Sequence, residues 1–361
     1  MKNALQNISK ENIQTLLESN SWNNLVMFNK TDLFFKSNVL NITKKLDVAE
    51  NLIYKHTCDD SWMGECAKYH LQTGGRRLRA ALALISGITL KLDSKISSYV
   101  AACCELIHNA SLVHDDLQDR DLLRRGKPTI WSRFGDASAI NLGDHFISSA
   151  FEILSNVPAD PKLKCIAINE LSKTIKQAVA GQTREIQTRA NLELQMEEYE
   201  STARAKTGSL LSLPVKLILI LSGKVDRINE LESIYESGIA YQIQDDLSDF
   251  IGIKERGLPG RDLKEGKMTI LIMHYLNDAE ASEKYLLNLF LKRRFESISE
   301  EEILLWISKL KEKSIIEKTT DHLYKVVKNS ISMSKRTSPE FHLITKFVIK
   351  NILQRISRKI I

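Results

Sequence analysis

The chain has few of the residues that interrupt regular structure. Of its 361 residues only 15 are Gly and 6 are Pro, whereas 43% are hydrophobic. All-β and loop-rich proteins need more turn residues than this, and no segment alternates apolar and polar residues with β-branched enrichment. The composition therefore predicts an all-α protein with a substantial core and no strand.

Long apolar runs and secretory features are also missing. No run of about 18 apolar residues occurs, so no membrane-spanning helix is predicted. The first residues, MKNALQNISKENIQTLLESN, lack the apolar core of a signal peptide and the arginines of a transit peptide. Five Cys in a chain of this length indicate reduced thiols rather than a disulfide framework. We therefore expect a soluble, cytoplasmic protein.

Charge and metal patterns narrow the function further. The net charge of +6 is too diffuse to indicate nucleic-acid binding, but it is compatible with an anionic substrate. Cys58 and Cys66 lie near His56 and His70, yet their spacing fits no common zinc pattern. The last 21 residues contain no acid. They predict a basic amphipathic helix that either packs with a solvated basic face or makes peripheral contact with an anionic membrane.

The pattern DDxxD occurs twice, each time at the end of an apolar segment that we predict to be helical. Because residues i and i+4 share a helix face, the first and last Asp of each pattern point the same way. Six carboxylates facing one cavity require cations, and hard oxygen donors without a His or Cys pattern suit Mg²⁺. The implied substrate is a diphosphate. The six residues are Asp115, Asp116, Asp119, Asp245, Asp246 and Asp249.

Basic residues lie on both sides of the first cluster. Gly74-Gly75-Arg76-Arg77-Leu78-Arg79 places arginines at a predicted helix N-terminus, which favours an anion, although taken alone this element is better explained as a solvated basic turn. Arg124-Arg125-Gly126-Lys127-Pro128 is predicted to be a loop, since Pro128 ends any helix. His108 lies two turns below Asp115 on the same face, either as a core histidine or as a donor to an anionic substrate.

The second signature helix, predicted over 231–251, carries Gln242 on the face of its carboxylates and Gly238 one turn below it. A glycine inside a helix costs about 1 kcal/mol, so we predict that another element packs closely against Gly238. For the whole chain we predict a polar N-terminal extension over residues 1–30 and a single all-α domain over residues 31–361.

In this order the motifs resemble those of the trans-isoprenyl diphosphate synthases, the polyprenyl synthetase family. The resemblance runs from about Gly74 to Thr269, and the geranylgeranyl diphosphate synthases are the most similar members. It rests on GGRRLR, HNASLVHDDLQDRDLLRRGKPT, GQ, KTG, GIAYQIQDDLSD and DLKEGKMT. It implies an isoprenoid-synthase orthogonal helical bundle around a central cavity, usually as a homodimer. The implied activity is Mg²⁺-dependent condensation of isopentenyl diphosphate with dimethylallyl, geranyl or farnesyl diphosphate by ionisation, condensation and elimination.

The resemblance also implies a role for each motif residue. The six aspartates would bind roughly three Mg²⁺ ions. Lys206, Thr207, Gln242 and Lys267 would form the catalytic set. The substrate-binding residues would be Arg124, Lys206 and Lys267 for the allylic diphosphate, and Gly75, Arg76, Arg79, His108 and Arg125 for isopentenyl diphosphate.

Product length is implied by two small residues. Ala110 and Ser111 stand where short-chain members of the family carry bulky aromatic residues that stop chain growth. Their small side chains imply a C20 or longer product, and geranylgeranyl diphosphate is the expected one.

The sequence departs from the family pattern at four positions. Arg76 replaces the usual Lys, and Ala80 replaces a common Pro. Trp131 replaces a common His, and Leu258 a frequent Lys. Two alternatives therefore stay open: a terpene synthase on the same scaffold, which the retained isopentenyl diphosphate site disfavours, and a non-catalytic modulatory subunit, which the two intact aspartate motifs disfavour. A membrane-binding structural protein would rest on the C-terminal helix alone.

Overall fold

The structure, a computed structural model, describes residues 29–252 and 259–360, and the side chains of residues 37, 38, 41–252 and 259–354. Residues 1–28 of the predicted N-terminal extension lie outside the described residues. Leu258 and the basic side chains from Arg355 onward also lie outside them.

The described residues are almost entirely helical, which confirms the predicted all-α class. The N-terminal half contains α1 (Asn29–Thr57), α2 (Trp62–Leu71), α3 (Leu78–Thr89), α4 (Ser94–Gln118), α5 (Ile130–Phe134), α6 (Asp136–Ser155) and α7 (Pro161–Gln187). The C-terminal half contains α8 (Met196–Ala203), α9 (Ser209–Leu221), α10 (Glu232–Phe250), α11 (Arg261–Lys264), α12 (Ile270–Asp278), α13 (Ala281–Leu291), α14 (Glu300–Glu312), α15 (Ile315–Ser334) and α16 (Pro339–Ile360). Shorter helical segments are a π-helical turn (Arg204–Gly208) and two 3₁₀ turns (Val225–Leu231 and Phe295–Ser297).

Local sequence explains where the longest helices begin. Asp93 precedes α4, and its carboxylate accepts a hydrogen bond of 2.7 Å from the Lys95 N–H. Asp160 does the same for α7, where Pro161 occupies the first turn and needs no N–H partner. These caps fix the starts of the two helices that later carry much of the cavity wall.

Helix α4 lies at the centre of the bundle and packs against α1, α3, α6 and α9. Its middle turns are fully buried and consist of small residues, including Cys103 and Cys104, which lets the neighbouring backbones approach closely. The two cysteines are therefore small core residues. Among the residues that the structure describes, no helix combines the length and the apolar character needed to cross a bilayer.

A short hairpin corrects the prediction that the chain contains no strand. β1 (Leu123–Arg124) pairs antiparallel with β2 (Lys127–Pro128), with Arg124 opposite Lys127. The two turn residues, Arg125 and Gly126, have φ of 54° and 76°, the positive values that a type I′ hairpin turn requires. Two-residue strands are too short to show an alternating pattern, which is why the sequence predicts only a loop here.

Candidate active site

A cavity of about 690 Å³ opens at the centre of the bundle, a size typical of small-ligand sites. Of the eighteen residues predicted for the site, all but Asp116 and Asp249 line it. Those lining it are Gly75, Arg76, Arg79, His108, Ala110, Ser111, Asp115, Asp119, Arg124, Arg125, Lys206, Thr207, Gln242, Asp245, Asp246 and Lys267.

The first aspartate motif occupies the last turn of α4. Asp115 and Asp119 share a helix face and both line the cavity, as the i, i+4 spacing predicts. Asp116 points into the protein and is buried. Its two carboxylate oxygens accept hydrogen bonds of 2.7 and 2.5 Å from the guanidinium of Arg124. The hairpin that carries Arg124 is therefore fastened to α4 by a bidentate buried ion pair.

Protein cations contact the two cavity-facing carboxylates of this motif. The Lys267 ammonium lies 2.6 Å from Asp119 Oδ2, and an Arg189 nitrogen lies 2.6 Å from Asp119 Oδ1. Lys206 Nζ lies 4.0 Å from Asp115 and 2.9 Å from Glu185. Burial alone would raise the pKa of Asp119, but these cations lower it well below its usual range. Asp119 is therefore ionised, whereas burial raises the pKa of Asp115 despite the nearby Lys206.

Lys206 and Thr207 are placed by the π-helical turn between α8 and α9. This turn packs directly on the second signature helix: a Cβ on Gly238 would lie 2.3 Å from Gly208 Cα. A Cβ on Gly181 would lie 2.5 Å from the Lys206 backbone N. The prediction of a close contact at Gly238 is therefore confirmed. The widened turn places the side chains of Lys206 and Thr207 in the cavity wall.

The second aspartate motif lies on α10, and several uncharged groups donate hydrogen bonds to it. The Tyr199 hydroxyl donates to Asp246 Oδ2 at 2.8 Å, and the Ile270 N–H donates to the same oxygen at 3.1 Å. Gln242 donates to Asp246 Oδ1 at 2.9 Å and accepts a hydrogen bond of 3.2 Å from Thr207. The carboxylate orientation is thus set by three separate elements of the fold.

Asp249 and Asp245 of this motif have different surroundings. Asp249 is buried, and its Oδ2 accepts a hydrogen bond of 3.0 Å from the Asp262 N–H. Asp245 lines the cavity together with Asp262. The second motif therefore presents Asp245 and Asp246 to the cavity and uses Asp249 to bind the segment that follows α10.

Several basic side chains line the cavity next to Asp116. Arg79 is buried at the start of α3, and its Nε has no hydrogen-bond partner within the described part of the chain. Burial lowers the pKa of His108 strongly, and Arg79, Arg124 and Arg125 lower it further, so the imidazole is neutral. Burial and the nearby Arg124 likewise lower the pKa of Arg125 to about 10. Such mutual repulsion among buried cations is what a site for an anion requires.

The Gly74-Gly75 turn shapes this basic wall. Gly75 has φ of 141°, and a Cβ there would lie 2.9 Å from Arg125 Nη2, so only glycine allows the guanidinium to lie against the backbone. Arg125 also donates to the Gly74 carbonyl. Arg76 reaches across the cavity rim to the Asn351 carbonyl at 3.4 Å. The basic turn is thus part of the cavity and not simply a solvated loop.

Two departures from the family pattern have local explanations. The Ala80 N–H donates to the buried carboxylate of Glu105 at 3.4 Å, a bond that proline could not make. The Trp131 indole N–H donates to the Asp121 carbonyl at 2.8 Å and lies outside the cavity. Neither residue removes a side chain from the cavity wall.

The apolar end of the cavity lies below the first motif. Ala110 and Ser111 both line it, with Ile147 from α6 and Ile175 and Ala178 from α7. The Ser111 hydroxyl donates to the His108 carbonyl at 2.8 Å and so leaves only a small group facing the cavity. These residues leave space for a hydrocarbon chain beneath the aspartates.

The donor set of the cavity fits Mg²⁺ chemically, because several carboxylates line it without thiols or a histidine cluster. Within the part of the chain that the structure describes, no three acidic, His or Cys side chains are grouped closely enough to bind a metal. The contacts of Asp119 with Lys267 and Arg189 explain this for the first motif: protein cations stand where a metal would be bound.

Sequence reasoning missed Glu185, Arg189 and Tyr199, which contact Lys206, Asp119 and Asp246. A signal existed for two of them. Glu185 follows Gln182 of the GQ motif by three residues and so shares its helix face, and Arg189 lies two residues after the end of the same helix. Tyr199 lies on a separate short helix, and no spacing rule connects it to Asp246.

A helical bundle whose cavity combines two aspartate motifs with buried lysines and arginines is the arrangement expected of all-α enzymes that act on diphosphates. Comparisons with known proteins specify the family. The family model described as Polyprenyl synthetase matches residues 60–305. The chain therefore belongs to the polyprenyl synthetase family and is a prenyltransferase.

Individual relatives agree on the family and differ in product. A short chain isoprenyl diphosphate synthase of Methanocaldococcus jannaschii is 34% identical over 248 residues, which cover 68% of this chain and 74% of that protein. Component 2 of a heptaprenyl diphosphate synthase of Bacillus subtilis is 33% identical over 263 residues, covering 71% and 74%. The crystal structure of a geranylgeranyl pyrophosphate synthetase from Pyrococcus horikoshii superimposes with a TM-score of 0.74 at 26% identity, covering 89% of this chain and 99% of that one.

Proposed function

We propose that this protein is a Mg²⁺-dependent trans-prenyl diphosphate synthase that extends an allylic diphosphate with isopentenyl diphosphate, with geranylgeranyl diphosphate as product. The observation that carries the proposal is the division of one cavity into three walls. Aspartates with exchangeable lysines form one, buried arginines form the second, and small and aliphatic side chains form the third. Two diphosphates and one hydrocarbon chain need these three environments.

The arginine wall, which consists of Arg79, Arg124 and Arg125, is assigned to isopentenyl diphosphate. The unpaired Nε of Arg79 and the mutual repulsion of Arg124, Arg125 and their neighbours mean that a diphosphate bound there relieves an existing electrostatic cost. Neutral His108 donates one N–H to such an anion without adding another charge. Fixing the diphosphate fixes the position of the double bond that attacks the allylic carbon.

The aspartate wall is assigned to the allylic diphosphate. Lys206 and Lys267 already lie beside Asp115 and Asp119, so both ammonium groups are in reach of a diphosphate placed between the motifs. There they stabilise the negative charge that develops on the leaving diphosphate. Asp115, Asp119, Asp245 and Asp246 would hold Mg²⁺, which would supply Lewis-acid stabilisation of the same charge.

The apolar end of the cavity serves two purposes in this proposal. It excludes water from the allylic cation, which water would otherwise trap. It also sets product length, because the chain grows past Ala110 and Ser111. If these residues form the path of the chain, Ser111→Phe blocks it and shortens the product, while Ser148→Phe on exposed α6 surface leaves the product unchanged. Equal product lengths in wild type and Ser111→Phe would place the limit elsewhere.

A homodimer is part of the proposal. Large apolar side chains are exposed on two adjacent helices: Ile140 on α6 is 49% exposed, and Val179 on α7 is 59% exposed. A second copy that covers this face would remove them from water. Sedimentation equilibrium should give twice the mass of the 41.1 kDa chain, and Val179→Glu should reduce it toward the monomer.

A second candidate is a subunit that works only with a different chain. The name of the Bacillus subtilis relative, component 2 of a synthase, favours this possibility. A terpene synthase is less favoured, since the arginine wall is intact. A modulatory subunit would not elongate substrates by itself, and a terpene synthase would not need isopentenyl diphosphate.

The deciding experiment is product analysis by mass spectrometry. The purified chain is incubated with Mg²⁺, isopentenyl diphosphate and, in turn, dimethylallyl, geranyl and farnesyl diphosphate. A linear C20 diphosphate is the expected product, and a longer one would revise the length only. A hydrocarbon or alcohol formed from an allylic diphosphate alone would identify a terpene synthase, and no product at all would favour the partner-dependent subunit.

A further inference from the structure

Arg261 is the first residue of the short helix α11, which contacts both aspartate motifs. Its residue neighbours bind the second motif: the Gly260 N–H donates to the Asp249 carbonyl at 3.2 Å, and the Asp262 N–H donates to the Asp249 carboxylate at 3.0 Å. The backbone around Arg261 is therefore fixed to α10.

The Arg261 side chain binds the first motif instead. One terminal nitrogen donates to the carbonyls of Asp119 at 3.2 Å and Arg120 at 2.7 Å, the two residues that directly follow α4. Its Nε forms an ion pair with the buried Asp121. Arg120 has φ of 54°, the left-handed conformation that turns helix-terminal carbonyls outward. The guanidinium thus caps the negative end of the helix that carries Asp115 and Asp119.

The position of this guanidinium is fixed on its other side as well. Arg261 Nε lies 2.9 Å from Glu265, and the guanidinium carbon lies 4.9 Å above the ring of Phe295. The side chain is only 14% exposed. Fixed by a carboxylate and an aromatic face, it has little freedom to move relative to α11.

From these contacts we propose that Arg261 is a positioning residue that sets the distance between the two aspartate motifs and thereby the affinity of the site for a metal-bound diphosphate. The inference rests on the proposed function for the identity of the ligand. Arg261 does not belong to the residues that line the cavity. It acts through the end of α4 and through Asp262 and Lys267, which its segment carries into the cavity.

The test compares Arg261→Met with Lys264→Met. Lys264 is on the same helix, and its ammonium lies 4.4 Å above the same Phe295 ring, but no hydrogen bond or ion pair joins it to α4 among the described residues. The control therefore removes a cation and a ring contact without removing the link between motifs. Arg261→Lys keeps the charge, loses the two-sided guanidinium geometry, and is the second variant should Arg261→Met not fold.

The primary readout is calorimetric binding of inorganic pyrophosphate at fixed Mg²⁺, with melting temperature as a fold check. Arg261→Met should weaken binding about 10- to 100-fold, as loss of a residue that orients metal ligands typically does, and Arg261→Lys should recover part of it. Lys264→Met should bind as wild type. Affinity within about twofold of wild type in a folded Arg261→Met, or in Arg261→Lys where Arg261→Met does not fold, would overturn the inference.

Kinetics separate this inference from the proposed function. In Arg261→Met the KM for the allylic diphosphate and the half-saturating Mg²⁺ concentration should rise, while the KM for isopentenyl diphosphate should stay close to wild type. A uniform rise in all three would mean general loss of structure and would contradict a positioning role. If wild type binds Mg²⁺ and pyrophosphate but forms no elongated product, the proposed condensation fails and the binding comparison still decides the role of Arg261.

Discussion

The two aspartate motifs have the same sequence pattern, but the contacts described for them differ in kind. In the first, Asp116 and Asp119 are bound by Arg124, Arg189 and Lys267. In the second, the hydrogen bonds to Asp246 and Asp249 come from a tyrosine, a glutamine and two backbone N–H groups. Long cationic side chains can leave a carboxylate when a diphosphate attracts them, whereas backbone donors cannot. We therefore expect Lys267 and Arg189 to exchange partners when a diphosphate binds, and the hydrogen bonds to Asp246 and Asp249 to persist.

The largest effect should come from the carboxylates that face the cavity in both motifs. Asp115→Ala and Asp245→Ala each remove an expected metal ligand, so turnover should fall by about 10³-fold or more, since several kcal/mol of charge stabilisation are lost. Steady-state turnover and circular dichroism would be measured together. Asp226→Ala, at an exposed position, is the matched control. Near-normal turnover in either cavity variant would refute the metal-site assignment.

The second-largest effect should be the loss of stability when the buried Asp116–Arg124 ion pair is broken. Asp116→Asn leaves the Arg124 guanidinium buried without its carboxylate, which should lower the free energy of unfolding by about 3 kcal/mol. Urea unfolding measures this directly. Arg124→Met together with Asp116→Asn should be less destabilising than Asp116→Asn alone, because no uncompensated charge is left. A single variant as stable as wild type would mean that the pair does not hold the hairpin.

A smaller effect is expected at the second motif. Tyr199→Phe removes one of the donors to Asp246 and leaves the others, so the free energy of unfolding should fall by only about 1 kcal/mol. Turnover should fall less than in Asp245→Ala, because the carboxylate remains. Tyr285→Phe, on an exposed surface, controls for loss of a hydroxyl. A loss as large as that of Asp116→Asn would contradict the difference between the motifs.

The smallest effect concerns His108 on the arginine wall. Its pKa is lowered in the folded protein, so the unfolded chain binds more protons, and stability falls as pH drops below the ordinary histidine value of about 6.5. Between pH 7 and 5.5 this group should cost about 1 kcal/mol. His108→Gln should flatten the pH dependence of urea unfolding in that range. An unchanged slope would mean that His108 is not the group held neutral.

Sequence reasoning succeeded where helix periodicity or a single residue type decides the outcome. The shared face of His108, Asp115 and Asp119 follows from 3.6 residues per turn. The close contact at Gly238 follows from the cost of glycine in a helix, and its partner is Gly208 of the KTG motif. The assignment of the six aspartates as metal ligands stays a prediction. Two of them, Asp116 and Asp249, are buried and do not line the cavity.

The rest depends on contacts between elements that are distant in the chain. Arg189 reaches Asp119, and Arg261 reaches the end of α4, only because the bundle brings segments that are distant in the chain together. The hairpin escaped detection because its strands are two residues long. The boundary at residue 31 also stays a prediction, while α1 already begins at Asn29.

The most direct test of the account is a crystal structure with Mg²⁺ and inorganic pyrophosphate bound. We predict that the Lys267 ammonium leaves Asp119 for a phosphate oxygen and that metal takes its place, while Asp246 keeps its hydrogen bonds to Tyr199 and to the Ile270 N–H. A structure in which Lys267 stays on Asp119 with pyrophosphate bound, or in which Asp246 exchanges its partners and the first motif does not, would contradict it.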